Sequence, residues 1–103
     1  MAISNIQLGV TETSLLTATL ESAIISILFC NTSTTDKTVT IYAYPSGGSA
    51  GDGSTILKDL TIPAGDTFIW SGQEKIILDV GDVVSGLADV ATSVTATINY
   101  KTI

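Results

Sequence analysis

The chain has no histidine, no arginine and only one cysteine, Cys30. Each absence removes a class of chemistry. Without histidine there is no side chain whose ordinary pKa suits general base work near neutrality, and no Ser–His or Cys–His pair can be assembled. Without arginine nothing supplies the planar fork that clamps a phosphate or an oxyanion. A single cysteine excludes an intrachain disulfide and a cysteine-based metal site. Cys30 closes the apolar run Ile24–Ile25–Ser26–Ile27–Leu28–Phe29–Cys30, where a buried thiol is expected to act as a small hydrophobe.

Charge is also scarce. Only 14% of the residues are charged, against about 25% in an average soluble domain. Ten acids outnumber the four lysines (Lys37, Lys58, Lys75 and Lys101), for a net charge of −6. The lysines are scattered rather than clustered, so neither the phosphates of a nucleic acid nor an anionic membrane surface is an expected partner. No segment offers the roughly 20 uninterrupted apolar residues of a membrane-spanning helix. Met1–Ala2–Ile3–Ser4 carries no basic, apolar leader, so synthesis and folding in a cytoplasm are expected. So few charges cannot cover the surface of a domain this small. Thr, Ser, Gly and Ala must fill much of it, and some apolar surface is expected to meet another protein.

What the sequence does contain is strand grammar. The length suits one domain, residues 1–103. Val94, Ala96, Ile98 and Tyr100 alternate strictly with Thr95, Thr97, Asn99 and Lys101, the period-two pattern of a strand with one core face and one solvated face. Ile6, Leu8 and Val10 repeat it near the start, and Val39, Ile41 and Ala43 alternate with Thr38, Thr40 and Tyr42. Turn chemistry separates the runs. It includes Asn31–Thr32–Ser33–Thr34–Thr35–Asp36, the long glycine-rich Pro45–Ser54 segment, the hairpin-sized Pro63–Ala64–Gly65–Asp66 and Ser71–Gly72–Gln73–Glu74, and the corner Val80–Gly81–Asp82. About eight short strands at roughly ten-residue spacing predict an all-β fold, an antiparallel sandwich of jelly-roll or immunoglobulin-like type. Two stretches also fit helical spacing: Leu16, Leu20, Ala23, Ile24, Ile27 and Leu28, and Ile76, Val80, Val83, Leu87 and Val90. The first is rich in Thr and β-branched residues and the second contains Gly81 and Gly86, so strands are preferred in both.

Few acids remain as candidates for chemistry. Asp79 with Asp82, or Asp59 with Asp66, could form the carboxylate pair of a glycosidase, but a thin sandwich seldom encloses the sugar-sized cleft that reaction needs. Gly51–Asp52–Gly53 and Gly81–Asp82 lack the serial oxygen ligands of a calcium loop and read as turns. No catalytic residue, metal ligand or cofactor is therefore expected. The aromatics are more informative. Phe68 and Trp70 share one face of the strand Thr67–Trp70, and Tyr42 and Tyr44 share a face opposite Val39, Ile41 and Ala43. Trp and Tyr dominate contact energy between proteins, so Tyr42, Tyr44, Phe68 and Trp70 are the candidate interface residues. Burial of Trp70 in the core and a carbohydrate-stacking platform of Trp70, Tyr42 and Tyr44 are the alternatives.

From Phe29 onward the chain runs through Phe29–Cys30–Asn31–Thr32 before Thr38–Val39–Thr40–Ile41, then Ile62–Pro63–Ala64–Gly65–Asp66–Thr67, Lys75–Ile76–Ile77–Leu78–Asp79–Val80–Gly81–Asp82 and Ser93–Val94–Thr95–Ala96–Thr97–Ile98. This order of segments resembles the small virion structural proteins of tailed bacteriophages, marine and cyanobacterial ones above all, which are made in a host cytoplasm. The resemblance implies a β-sandwich located on the virion, as a capsid cement or decoration subunit or as a neck, tail or fibre-associated one. It also implies that the partners are the major capsid protein or other virion subunits and further copies of the same chain. It carries over no functional residues, because these motifs are strand and turn segments without chemistry of their own.

Overall fold

In a computed structural model of the chain, residues 2–71 and 76–103 are described. They form nine strands: β1 (Ala2–Gln7), β2 (Thr13–Thr17), β3 (Ser22–Asn31), β4 (Lys37–Tyr44), β5 (Thr55–Ile62), β6 (Thr67–Trp70), β7 (Ile76–Leu78), β8 (Val83–Ala88) and β9 (Val94–Thr102). A single 3-10 turn, Asp52–Ser54, interrupts the loop between β4 and β5. There is no α-helix among the described residues, and so none long and apolar enough to cross a membrane. Both ambiguous stretches are strands, β2 with β3 and β7 with β8. There, β-branched side chains pack better on a pleated surface than around a helix.

The strands make two antiparallel sheets. One has the order β1–β9–β3–β6, with β7 also on β3, and the other the order β2–β8–β4–β5. β6 pairs with Ile27–Cys30 and β7 with Ser22–Ile24, both antiparallel to β3. β6 and β7 therefore follow one another in the same direction along β3, as two parts of one strand position. The hairpin expected at Ser71–Gly72–Gln73–Glu74 lies largely outside the described residues, but the strands on either side of it do not reverse. Counting β6 and β7 together gives eight strand positions in two four-stranded sheets. The chain crosses between sheets at most of its connections, which is the double Greek-key wiring of a jelly roll rather than an immunoglobulin-like sandwich.

Packing follows the alternation in the sequence. Ile24, Ile27 and Phe29 of β3 meet Val94, Ala96 and Ile98 of β9 within the first sheet. They face Val39 and Ile41 of β4, Ile62 of β5 and Val84 and Ala88 of β8 across the sandwich. Gly86 keeps the two central strands of the second sheet close. A Cβ there would stand 2.5 Å from Cδ1 of Ile41, itself fully buried, and 3.0 Å from the carbonyl oxygen of Thr40. Pro63–Ala64–Gly65–Asp66 is a turn closed by Asp66 N–H donating to the Pro63 carbonyl (3.0 Å), with Gly65 at φ +74° in its third place. It turns a corner between sheets, carrying β5 of one to β6 of the other, rather than folding a hairpin within one.

Three local expectations change. Val10 lies beyond the end of β1 and is 55% exposed, because the chain leaves the sheet after Leu8 to reach β2. Cys30 lies outside the core. The inward positions of β3 alternate through Phe29 and Asn31, which turns the thiol outward and half-exposed beside Thr67 and Thr95. The outward row of β9 is only half-exposed at Thr95, Thr97 and Asn99, because β9 runs between β1 and β3.

Candidate functional site

The four aromatic candidates fall on two sheets. Phe68 and Trp70 of β6 point into the sandwich and pack half-buried against the core. The Phe68 ring stacks on Phe29 at a centroid distance of 6.3 Å. Tyr42 and Tyr44 of β4 project from the outer face of the other sheet, where Tyr42 stands opposite Ser85 and Tyr44 opposite Val83 on β8. Trp70 and the two tyrosines therefore do not share a face, and no common stacking platform forms from them.

Among the described residues, Tyr44 belongs to the one polar cluster with shifted ionisation. Glu12, in the connection between β1 and β2, folds over the outer face of the second sheet. Its Oε2 accepts hydrogen bonds from Ser85 Oγ (2.5 Å) and from the Tyr44 hydroxyl. The Ser85 bond, then the Tyr44 bond, hold the Glu12 carboxyl below its ordinary value, while the same carboxylate pushes the Tyr44 phenol up. Ser85 is fully buried, so the carboxylate supplies the acceptor its hydroxyl needs. Nothing in the spacing of Glu12, Tyr44 and Ser85 signals this cluster, which exists only because β8 lies between β2 and β4.

Of the acids weighed for catalysis or calcium, Asp52, Asp66, Asp79 and Asp82 lie in turns and connections, and Asp59 lies in β5. Asp82 accepts from Ser46 N–H (3.1 Å) with one oxygen and from Asp79 N–H (2.9 Å) with the other, tying the β4–β5 loop to the β7–β8 corner. Asp59 accepts from Thr40 Oγ1 at 3.3 Å. Among the described residues no three His, Cys, Asp or Glu side chains are grouped to hold a metal ion, and there is no pocket.

The surface does present apolar side chains. At one end of the sandwich, Gly81 N–H donates to the Ala18 carbonyl (2.7 Å), Ala18 N–H to the Asp82 carbonyl (3.0 Å) and Ile103 N–H to the Glu21 carbonyl (2.8 Å). These bonds gather Leu20, Val80 and Ile103, which are 60%, 64% and 67% exposed. On the outer face of the first sheet, side chains line up in rows across the strands. Asn5, Thr97, Leu28 and Ile69 form one row, and Gln7, Thr95, Cys30 and Thr67 the next. Ile69 of β6 and Ile77 of β7 are exposed at one side of this face, and Ile3 of β1 at the other. Compared with known proteins, the chain matches no family model, no curated protein and no solved structure.

Proposed function

We propose that this chain is a structural subunit of a bacteriophage virion, a capsid cement or decoration protein that stabilises an assembled shell through protein–protein contacts. The observation that carries the reading is the apolar surface of a weakly charged sandwich. Ile3, Leu20, Ile69, Ile77, Val80 and Ile103 are each more than half exposed, and side chains of this kind contribute free energy when another subunit covers them. Jelly rolls recur in viral capsid and lectin domains. A fold does not assign a function, so that recurrence supports the reading without carrying it.

The mechanism is mass action. A subunit that binds only the assembled shell adds about 2.7 kcal/mol per site when its free concentration is about a hundred times Kd, and a lattice repeats that gain at every equivalent site. The partners are the major capsid protein or neighbouring virion subunits, together with further copies of this chain.

Particles purified with and without the protein, imaged and assayed by gel densitometry, test the proposal. On the order of hundreds of copies per particle are expected on the shell lattice, and about a dozen would move the protein to a symmetric neck or tail ring. A particle that contains none, with unchanged stability when the gene is removed, overturns the virion reading.

A further inference from the structure

The four sheet edges differ in how they are protected. An unprotected edge offers unpaired N–H and C=O groups to any extended strand, and natural sheets blunt such edges with bulges, charges, proline or brevity. β5 is bulged twice against β4 and carries Lys58 and Asp59, the latter at φ 47°. β2 has five residues and a register shift between Ser14 and Leu16. The edge formed by β6 and β7 is split into pieces of four and three residues. β1 alone has none of these devices. Its six residues, Ala2–Ile3–Ser4–Asn5–Ile6–Gln7, contain no charge, proline or glycine, and pair with β9 in six consecutive registers without a shift.

The ladder fixes which groups are free. Leu8 N–H donates to the Val94 carbonyl at 2.9 Å, and the Leu8 carbonyl accepts from Thr92 N–H at 3.0 Å. Because backbone groups alternate in an antiparallel pair, Ile6, Ser4 and Ala2 also face β9. Ile3, Asn5 and Gln7 then direct three N–H and three C=O groups to the open edge, with Ile3 69% exposed beside them.

We infer that β1 is a self-association edge, at which two copies of this chain pair antiparallel about a two-fold axis through Asn5. In that register Ile3 pairs with Gln7 of the second copy, Asn5 with its own equivalent, and Gln7 with Ile3. All six free groups are then used. Shifting the register by two residues leaves some of them unpaired. The occupant is a second copy on two grounds. A strand pairing with itself across a two-fold is closed and self-complementary. The chain carries a net charge of −6, so copies repel in general, and β1 is an edge at which no charge opposes a like charge. The product is a continuous eight-stranded sheet across two sandwiches. One six-residue seam lies below the roughly 1,200 Å² of a standard interface, so the dimer forms at high concentration and dissociates on dilution.

The inference deepens the oligomer element of the virion proposal and rests on that reading only there. It is tested on the purified full-length protein with no particle present, so its failure would leave the copy count per particle untouched. Sedimentation velocity across a concentration series is expected to show a monomer–dimer equilibrium, with dimer formation weakened at least tenfold in Asn5→Pro and Asn5→Lys. Proline at an outward-facing edge position removes no bond to β9, and lysine opposes its own copy on the axis. In a Cys30→Ser background, oxidation is expected to cross-link Asn5→Cys rapidly and Gln7→Cys slowly, since only position 5 meets itself. This second measurement does not depend on the proline variant folding. A folded wild type that stays monomeric at every concentration, or equal cross-linking at positions 5 and 7, overturns the inference.

Discussion

Asn31 shows how one buried polar side chain can organise a corner of the molecule. It is fully buried, and its Nδ2 donates to the carbonyls of Ile62 (2.8 Å) and Thr35 (2.9 Å), while its Oδ1 accepts from the backbone N–H (2.9 Å) and hydroxyl (2.7 Å) of Ser33. It thus joins the end of β3 to the β3–β4 loop and to the last residue of β5. Asn31→Ala leaves buried acceptors without donors, and is expected to cost about 2–3 kcal/mol in urea denaturation; a loss below about 0.5 kcal/mol would refute the role. Thr92 is the opposite case. A β-branched residue held at φ 60° is strained, and its N–H bond to Leu8 survives any non-proline substitution. Thr92→Gly is therefore expected to raise stability by about 0.5–1 kcal/mol, the relieved strain exceeding the entropy of the added glycine. A lowered melting temperature would contradict it.

At the scale of elements, the Glu12 clasp fastens the β1–β2 connection to β4 and β8. Its ionisation sets the sign of a pH effect. The folded-state pKa of Glu12 lies below its ordinary value of 4.5, so the clasp contributes fully above that value and is lost as pH falls through the lower folded one. The Tyr44 phenol is raised above 10.0, so its contribution is present below that value and disappears as pH rises through the higher folded one. The clasp therefore operates between these limits. Thermal melts of wild type and Glu12→Gln across a pH series are expected to differ most near neutrality and to converge in acid. A difference independent of pH would show that the carboxylate charge plays no part. Gly86 illustrates a second element-scale demand, since β8 can lie against β4 only where no side chain stands between Ile41 and the Thr40 carbonyl.

At the scale of the whole molecule, the two ends of the chain lie side by side. β1 pairs with β9 from Ala2 opposite Tyr100 to Gln7 opposite Thr95, and β9 also lies against β3. A sheet whose centre is contributed by the last strand cannot be completed until the rest of the chain is in place. Loop-closure entropy must be met before these pairings are rewarded, so refolding on the millisecond-to-second scale is expected. Unfolding should be a single transition, because Trp70 sits on a strand paired to central β3. Its fluorescence and the far-ultraviolet circular dichroism signal are expected to give coincident denaturation curves. Separate midpoints would show that the two sheets come apart independently.

Period-two alternation in Val39–Ala43, Thr67–Trp70 and Val94–Lys101 was enough to locate β4, β6 and β9 and to separate their inward rows from their outward ones, because the pleat forces successive side chains to opposite faces. Composition and turn residues were enough for an all-β sandwich with about eight strand positions. Whether Cys30 is inside or outside depended on the phase of β3, and whether Trp70 and the tyrosines could act together depended on which sheet each strand joined. The Glu12–Ser85–Tyr44 cluster, the apolar end around Leu20, Val80 and Ile103, and the open edge at β1 likewise came from strand order. Local sequence determines which way a side chain points from its own strand. Only the tertiary structure decides which strand lies beside it, because that choice is made by the burial of all the faces together.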